Sequence, residues 1–344
     1  MTPSLAQTIA AHDNDHTGIT AQFRRGTGRD WHEPTPAFLG RSACLSVIIP
    51  AHNNEYSLPT VLDALAKQNT AAQVEVIVID DASTDDTPAI IKAHPVVDAA
   101  LRLPEQVGAA TARNIGVYLA EGDTLVFCDA DMVLPEHVLA DFAARAYTGA
   151  VLVGFRHDVA HHPGSDGRPI IPSGEPDLHA DHRVRWTPPA QVPMFYSGQV
   201  YDTPFVGQPL DDTQDFVDLG HGRSYFDWDL PRMVVTALVA APRAAVLDVG
   251  GFHPGFQVAG WGSEDTHLGA ALIAHGCKVI PLRQARGWHL DPPDADTAWK
   301  AKLAGAAPRV ALLRHLLTEP PPTGQDAAFR DRIEPLVRKA TPLT

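Results

Sequence analysis

The chain has 344 residues, of which 44% are hydrophobic and 20% are charged, a composition that excludes a wholly disordered or fibrous protein. The formal net charge is −14, from 27 Lys and Arg against 41 Asp and Glu, so nucleic acid is not expected as a partner. The three cysteines, Cys44, Cys128 and Cys277, suit neither a disulfide framework nor a metal knuckle. Because no apolar stretch is long enough to cross a bilayer and no signal pattern is present, we expect a cytoplasmic protein without integral membrane contact.

Strands and helices alternate among the predicted elements of the first half of the chain. Residues 1–43 are polar and lack a sustained period, which predicts an irregular arm that Phe23 and Trp31 order against the main domain. Apolar runs then predict strands at 45–50, 74–79, 99–103 and 124–128. Apolar residues at helical spacing predict helices at 57–68, 84–93 and 109–120. This alternation predicts an α/β fold with a mostly parallel central sheet and helices on both faces.

The second half of the chain is less regular. Residues 151–154 predict another strand, and 155–232, rich in His, Pro, Asp and Gly, predict an insertion that covers a substrate. Further core elements are predicted as strands at 234–240 and 278–281, a helix that opens at 264 and runs to 275, and a last segment at 287–290. The tail from residue 297 predicts one amphipathic helix.

Two pairs of acidic residues stand directly after predicted strands. Asp129 and Asp131 follow the fourth strand, and Asp80 and Asp81 end the second. Since open parallel sheets bind ligands beyond the carboxyl ends of their strands, both pairs are expected at that edge. Asp129 and Asp131 can converge on Mg²⁺ or Mn²⁺, and an acidic residue of the other pair can accept from a base N–H or a ribose hydroxyl. The alternatives are a solvated turn for the first pair and a cap on the next helix for Asp81.

Further candidates lie at two predicted helix starts. Gly108 permits close approach of a ligand, and Arg113 offers a guanidinium fork to phosphate oxygens, the alternative being a surface arginine. Trp261 presents a flat apolar face that suits a sugar. Either Glu264 or Asp265 can act as a general base for an acceptor hydroxyl, the alternative being a simple interaction with the helix dipole.

Histidines supply one further candidate and one disfavoured alternative. His289 is a candidate third metal ligand, or else a satisfied polar group of the core. A zinc site at His157, His161 and His162 is disfavoured because Pro163 follows directly and no Glu completes the metalloprotease pattern. The sequence also lacks the glycine-rich dinucleotide motif, the P-loop and the Gly-x-Ser-x-Gly elbow, which disfavours the enzyme classes that depend on them.

Four motifs, taken in order, resemble the family 2 glycosyltransferases with the GT-A fold. The matching segments are residues 45–55, 78–85, 108–116 and 127–131. A second resemblance covers about 248–290, where Gly250-Gly-Phe and Gly260-Trp-Gly-Ser-Glu-Asp265 are similar to the C-terminal half of galactosyltransferase-like and N-acetylgalactosaminyltransferase-like enzymes. His52 stands where many members have Tyr, and Ser263 stands where Gly is commoner.

The resemblance implies roles for individual residues. It implies that Asp81 contacts the base of the bound nucleotide sugar and that Arg113 lies at its diphosphate. The full set of residues that it places beside the nucleotide sugar is Pro50, Glu55, Asp80, Asp81, Gly108, Arg113, Asp129, Ala130 and Trp261. The metal ligands that it implies are Asp129, Asp131 and His289. Asp265 matches the catalytic base of inverting relatives, and Glu264 would hold a sugar hydroxyl.

On this basis the chain is expected to have four parts. They are an N-terminal arm at 1–43, a nucleotide-sugar-binding half at 44–150, an acceptor-binding half at 151–296 with the insertion 155–232, and a helical tail at 297–344.

The expected activity is a metal-dependent hexosyl transfer (EC 2.4) with Mn²⁺ or Mg²⁺. The donor would be a nucleoside diphosphate sugar, with uridine the commonest base in such families, the acceptor a soluble small molecule or peptide, and the stereochemistry inverting.

Two other functions and one further partner stay open at this point. A nucleotidyltransferase would share the sheet and the metal-bound phosphate, but the loop after the first strand, at 50–55, contains neither Gly nor Lys. A non-catalytic protein that binds sugar nucleotides is the second alternative, which the presence of both acidic pairs disfavours. Binding of a second copy of the chain, to form a homodimer, also stays open.

Overall fold

The structure is a computed structural model that describes residues 2–181, 183–184, 214–219, 229–259, 262–304 and 306–344. Its strands are β1 Cys44–Ala51, β2 Gln73–Asp80, β3 Ala99–Arg102, β4 Thr124–Cys128, β5 Met132–Val133, β6 Ala150–Val159, β7 Leu238–Pro242, β8 Lys278–Leu290 and β9 Thr341–Pro342. The helices are α1 Leu5–Ala10, α2 Thr17–Thr27, α3 Leu58–Ala66, α4 Thr87–Ala93, α5 Ala109–Leu119, α6 Val138–Ala144, α7 Gln214–Asp218, α8 Leu230–Met233, α9 Arg243–Asp248, α10 Gly255–Ala259, α11 Glu264–Ala274, α12 Ala295–Ala304, α13 Ala306–Leu316 and α14 Asp326–Lys339, with a 3₁₀ turn at Leu178–Ala180.

These strands form one sheet in the order β5-β8-β6-β7-β4-β1-β2-β3-β9. The strands β4, β1, β2 and β3 are parallel to one another, and β6 and β8 form a second parallel pair. Strand β7 joins the two parallel groups because it pairs antiparallel with both β4 and β6. The predicted α/β class, with a largely parallel sheet, is confirmed.

Alternate residues of β1 pack on opposite faces of the sheet, as the two-residue period of a strand requires. Ile48 belongs to a buried cluster that includes side chains of α5, α11 and α14. Val47 and Ile49 belong to a second buried cluster, with side chains of α3 and α6. Helices therefore cover both faces, and the loops that follow β1, β2 and β4 lie together at the carboxyl edge of these strands.

Several predicted elements differ from those observed. The segments predicted separately at 278–281 and 287–290 are one strand, β8, because pairing with β6 continues past an irregularity near residue 154. The strand predicted at 234–240 begins only at Leu238. The tail has α12 and α14 in addition to the single predicted helix. Half of the predicted insertion 155–232, at 182, 185–213 and 220–228, lies outside the described residues.

The N-terminal arm is more regular than its sequence suggests. The prediction of an irregular arm was wrong at α1 and α2. Helix α1 begins with a capping box, in which Ser4 and Gln7 each accept from the other's backbone N–H. Phe23 and Trp31 are buried, and their rings meet edge to face with centroids 5.4 Å apart, as the proposed ordering of the arm requires.

A fully buried arginine at the end of α6 fastens the arm to the sheet domain. The Arg145 guanidinium donates to the carbonyl oxygens of Trp31, at 2.8 Å, and Glu33, at 2.9 Å. It lies 4.6 Å from the centre of the Phe23 ring, within the range of a cation–π contact. Burial lowers the pKa of Arg145 to about 10, so the group is still charged at neutral pH. Its carboxylate partner, at 3.5 Å, is the buried Asp141.

Arg145→Met is expected to lower the free energy of unfolding by about 3 kcal/mol, because it removes the donors to the arm and the cation beside Oδ1 of the buried Asp141. His137, which contacts Oδ2 of Asp141 at 2.6 Å, stays in place. Denaturant unfolding of the full chain measures this change. Arg330→Met is the control, since Arg330 is 44% exposed and pairs on one helix with Asp326, and its loss is expected to change stability by less than about 1 kcal/mol. Equal effects of the two substitutions would contradict the role given to Arg145.

Candidate active site

The ends of three parallel strands bring the predicted acidic residues to one edge of the sheet. Ala51, the last residue of β1, is in register with Asp80 of β2, and Asp129 directly follows β4. The Asp81 N–H donates to the Ala51 carbonyl oxygen at 2.8 Å, which continues the pairing past the strand ends. The expectation that both pairs lie at this edge is confirmed by the fold.

Asp129, Asp131 and His289 form the group among the described residues that could hold a metal ion. One ligand atom from each of the three lies within 4.8 Å of the other two. The two-residue strand β5 produces this arrangement, since it places Met132 opposite His289 on β8. The Leu290 N–H also donates to the Asp131 carbonyl oxygen at 2.9 Å. Residues far apart in sequence are therefore joined by a strand pairing that immediately follows Asp131.

The chemistry of these three side chains fits a hard divalent cation. Oδ1 of Asp131 is buried and, among the described residues, accepts no hydrogen bond, and it lies 3.5 Å from Nε2 of His289. Burial, and then the neighbouring Asp129, raises the pKa of Asp131 despite the opposing effect of His289. A cation would compensate both the unpaired oxygen and the repulsion between the carboxylates, and two oxygens with one imidazole are ligands that Mn²⁺ accepts.

Arg113 connects the candidate metal ligands with the start of α11. Its Nη2 donates to Oδ1 of Asp129 at 2.7 Å, and its Nη1 lies 3.6 Å from Oε1 of Glu264. Burial opposes ionisation of Asp129, but the positive charge of Arg113 outweighs it and lowers the pKa of that carboxyl. The side chain of Arg113 is only 3% exposed, so the alternative of a surface arginine is wrong. Contact with a diphosphate stays a prediction.

The predicted nucleotide-site residues near β1 and β2 hold the surrounding loops in place. Both oxygens of Asp81 accept backbone N–H groups, from Val107 at 2.7 Å and Gly108 at 2.8 Å. Asp81 therefore fastens the segment before α5 and does not cap α4, the next helix, which corrects that alternative. Gly108 has φ +84°, a conformation that favours glycine. His52 lies with Nδ1 2.7 Å from the Asp81 carbonyl oxygen.

The remaining predicted residues of this region have contacts of the same kind. Asp80 is fully buried and accepts from the Ser83 N–H at 3.0 Å, which forms the turn after β2. Glu55 accepts from the Asp86 N–H at 2.9 Å and so links the loops after β1 and β2. Pro50 lies in β1, and the Ala130 carbonyl oxygen accepts from the Ser57 hydroxyl at 2.9 Å. Contact of these residues with a nucleotide is untested.

The two candidate catalytic carboxylates open α11 in different environments. Glu264 is buried, its Oε2 accepts from the Gly262 N–H at 2.6 Å, and burial together with Asp265 raises the pKa of Glu264 to about 7. Asp265 is half-buried, and its Oδ1 accepts from the Thr266 N–H at 2.7 Å. Ser263 has φ +69°, a left-handed conformation that explains why glycine would also suit this position. Trp261 lies outside the described residues.

Comparison with known proteins identifies the family. Residues 46–195 match the model of glycosyl transferase family 2. Validoxylamine A glucosyltransferase of Streptomyces hygroscopicus subsp. limoneus is 31% identical over 274 residues, which are 77% of this chain and 55% of that protein. The chain belongs to glycosyl transferase family 2. The validoxylamine A glucosyltransferase of subsp. jinggangensis is 32% identical over 74% of this chain and 56% of its own length. The chain thus spans about half the length of these relatives.

Solved structures of glycosyltransferases share the fold. A mannosyltransferase from Pyrobaculum calidifontis, solved in complex with GDP-mannose and Mn²⁺, superposes with a TM-score of 0.50 at 19% identity. The match covers 96% of this chain and 81% of that one, which confirms the predicted GT-A fold. The galactosyltransferase-like resemblance over 248–290 stays a prediction. In the described part of this family 2 chain, none of the helices has the length and apolar character needed to span a membrane.

Two residues of this family 2 site were missed by reasoning from sequence. The Tyr56 hydroxyl lies 3.5 Å from Oδ2 of Asp131, and its ring packs edge to face on His161, with centroids 5.6 Å apart. Oδ1 of Asp158, near the end of β6, lies 2.9 Å from Nδ1 of His289. Neither residue lies in a recognised motif, so only the strand pairing and the loop conformation could reveal them.

Proposed function

We propose that the chain transfers a hexose from a uridine diphosphate sugar to a hydroxyl group of a soluble small-molecule or peptide acceptor, with inversion and with Mn²⁺ or Mg²⁺. The observation that carries this proposal is the convergence of Asp129, Asp131 and His289 at the carboxyl edge of a family 2 sheet. The Mn²⁺ and sugar nucleotide bound by the P. calidifontis enzyme support it, as does a relative whose named substrate, validoxylamine A, is a small molecule.

Each side chain has a distinct task in the proposed reaction. A divalent cation held by Asp129, Asp131 and His289 would neutralise the charge that develops on the leaving diphosphate. Arg113 orients Asp129 and Glu264 through its two terminal nitrogens. Asp265 takes the proton of the acceptor hydroxyl as its oxygen bonds to the anomeric carbon, and the bond from that carbon to the diphosphate oxygen breaks. Glu264 holds a hydroxyl of the transferred sugar.

Asp265 is the base that the proposed inverting course would use. Inversion requires the base and the diphosphate on opposite sides of the anomeric carbon. Glu264, the neighbour of Asp265, and Asp129, a candidate metal ligand, contact different nitrogens of the single Arg113 guanidinium. Glu264 and Asp129 therefore flank one arginine, and Asp265 directly follows Glu264 at the start of α11.

Thermal stability of the full chain with nucleotide sugars tests the donor and the metal together. With Mn²⁺ present, UDP-glucose at a concentration of about one hundred times its Kd is expected to raise Tm by several degrees. Ligand at that concentration adds about 2.7 kcal/mol to the free energy of unfolding. EDTA should abolish the shift. The anomeric configuration of any product, read by NMR, tests inversion. A nucleotidyltransferase would instead show the rise in Tm with a nucleoside triphosphate. A protein that only binds sugar nucleotides would be stabilised by UDP-glucose but would release no UDP, whether an acceptor or only water is present. Either result would contradict the proposal.

A further inference from the structure

His289 has an aspartate at each of its ring nitrogens. Its Nε2 lies 3.5 Å from Oδ1 of Asp131, within the candidate metal group, and its Nδ1 lies 2.9 Å from Oδ1 of Asp158. Asp158 is not a member of the candidate metal group found among the described residues. It contacts the opposite end of the imidazole, so it touches the ring without sharing the space between Asp129 and Asp131.

The sheet itself produces this row of side chains. Strand β5 pairs with β8 so that Met132, next to Asp131, is opposite His289, and β6 pairs with β8 so that Asp158 is opposite His289. Backbone hydrogen bonds hold both pairings at this point, from Leu290 N–H to the Asp131 carbonyl oxygen at 2.9 Å and from Asp291 N–H to the Val159 carbonyl oxygen at 2.8 Å. Asp158 and His289 lie on adjacent strands, and Asp131 lies in the turn directly before β5.

We propose that Asp158 is a positioning residue, which holds His289 in the tautomer and orientation that a metal ligand needs. The inference rests on the metal site of the proposed function. A neutral imidazole carries one N–H, and when Nδ1–H donates to a carboxylate, the lone pair remains on Nε2, the nitrogen that faces Asp131. Carboxylate partners of this kind fix the ring of metal-binding histidines, and their loss weakens metal binding by about 10- to 100-fold.

Asp158 has the surroundings that this task requires. The Nε of Arg156, two residues earlier on the same strand, lies 3.5 Å from the same Oδ1 that contacts His289. An ionised carboxylate can only accept, so its hydrogen bond with His289 requires the proton on Nδ1. Because β6 and β8 both continue past the contact, the imidazole and the carboxylate keep their separation without help from a ligand.

A purely structural pairing between Asp158 and His289 is the competing explanation, and the chain offers a matched control for it. Asp63 lies 3.2 Å from Nε2 of His94 and is 40% exposed, against 42% for Asp158. Both pairs join an aspartate to a histidine at similar exposure, but Asp63 and His94 are absent from the candidate metal group. Asp63 also pairs with Arg168, as Asp158 does with Arg156, so Asp63→Asn removes a comparable set of contacts away from the candidate site.

Calorimetric titration of the full chain with Mn²⁺ alone tests the inference. Asp158→Ala is expected to bind Mn²⁺ about 10- to 100-fold more weakly than the unsubstituted chain. Asp158→Asn should lose less affinity than Asp158→Ala, because its amide oxygen can still accept. Asp63→Asn should bind Mn²⁺ as tightly as the unsubstituted chain. In the metal-free chain, ¹⁵N NMR above the pKa of His289 should show the Nδ1–H tautomer, and Asp158→Ala should shift the population toward Nε2–H.

The outcomes separate this inference from the proposed function. Unchanged Mn²⁺ affinity and tautomer in Asp158→Ala, with normal affinity in the unsubstituted chain, would overturn the role of Asp158 alone. No Mn²⁺ or Mg²⁺ binding by the unsubstituted chain would overturn the metal site and this inference together. If Asp158→Ala fails to fold, Asp158→Leu decides, because leucine also removes the acceptor at Nδ1 while it fills a similar volume. A tautomer and a Mn²⁺ affinity equal to those of Asp63→Asn would then also overturn the inference.

Discussion

Asp131→Asn is expected to lower kcat/KM by about 1,000-fold or more, because in the proposed mechanism the variant loses a charged metal ligand where negative charge develops on the diphosphate. The same substitution is expected to leave the metal-free fold intact or to stabilise it. Burial and the neighbouring Asp129 raise the pKa of Asp131 in the folded chain, so ionisation of this carboxyl weakens the fold as pH rises through that pKa. An amide avoids this loss, and stability and activity should change in opposite directions.

Three measurements on one preparation check this prediction. Steady-state transfer with saturating Mn²⁺ gives kcat/KM, calorimetry gives the affinity for Mn²⁺ with UDP, and denaturant unfolding in EDTA gives the stability. Asp326→Asn is the matched control, since Asp326 is 52% exposed and pairs only with Arg330 among the described residues. Near-normal transfer by Asp131→Asn, or a large loss of stability in EDTA, would show that Asp131 has a structural role and is not a metal ligand.

The part of this site that the sequence predicts is the part that follows a simple geometric rule. The runs at β1, β2 and β4 are almost wholly apolar, as buried parallel strands must be, and the acidic residues after them must therefore share an edge. This rule is sufficient to bring Asp80 and Asp129 together across three strands. It requires no knowledge of side-chain packing.

The contacts that the sequence does not predict depend on pairings between distant segments. Asp158 and His289 are 131 residues apart, and only the parallel register of β6 and β8 makes them neighbours. Helix α1 has two buried apolar residues, Leu5 and Ile9, which is too few to give a clear helical period, and their burial depends on packing against α11 and its neighbours. His289 is a candidate ligand both from its residue type and through the family resemblance, but a lone histidine in a strand has no local signature that places it beside Asp131.

The structure adds a physical argument to the choice of Asp265 over Glu264 as general base, which the resemblance already favours. Either carboxylate could be placed in a cleft on sequence grounds, and a pKa near 7, such as that of Glu264, suits a base. However, the oxygens of Glu264 are already in contact with the Gly262 N–H and with Arg113, and the residue is only 2% exposed. Asp265 is more accessible, which favours it as the group that reaches an acceptor.

Asp265→Asn is accordingly expected to lower kcat by about 100- to 10,000-fold, the usual contribution of a general base, while the affinity for UDP with Mn²⁺ changes less than about threefold. Glu264→Gln is the comparison, since it removes the neighbouring charge at the same helix start. We expect it to raise KM for the donor more than it lowers kcat, because it weakens the hold on a sugar hydroxyl and on Arg113. Separate determination of kcat, KM and UDP affinity for both variants checks the assignment. Full turnover in Asp265→Asn together with inactive Glu264→Gln would transfer the role of base to Glu264.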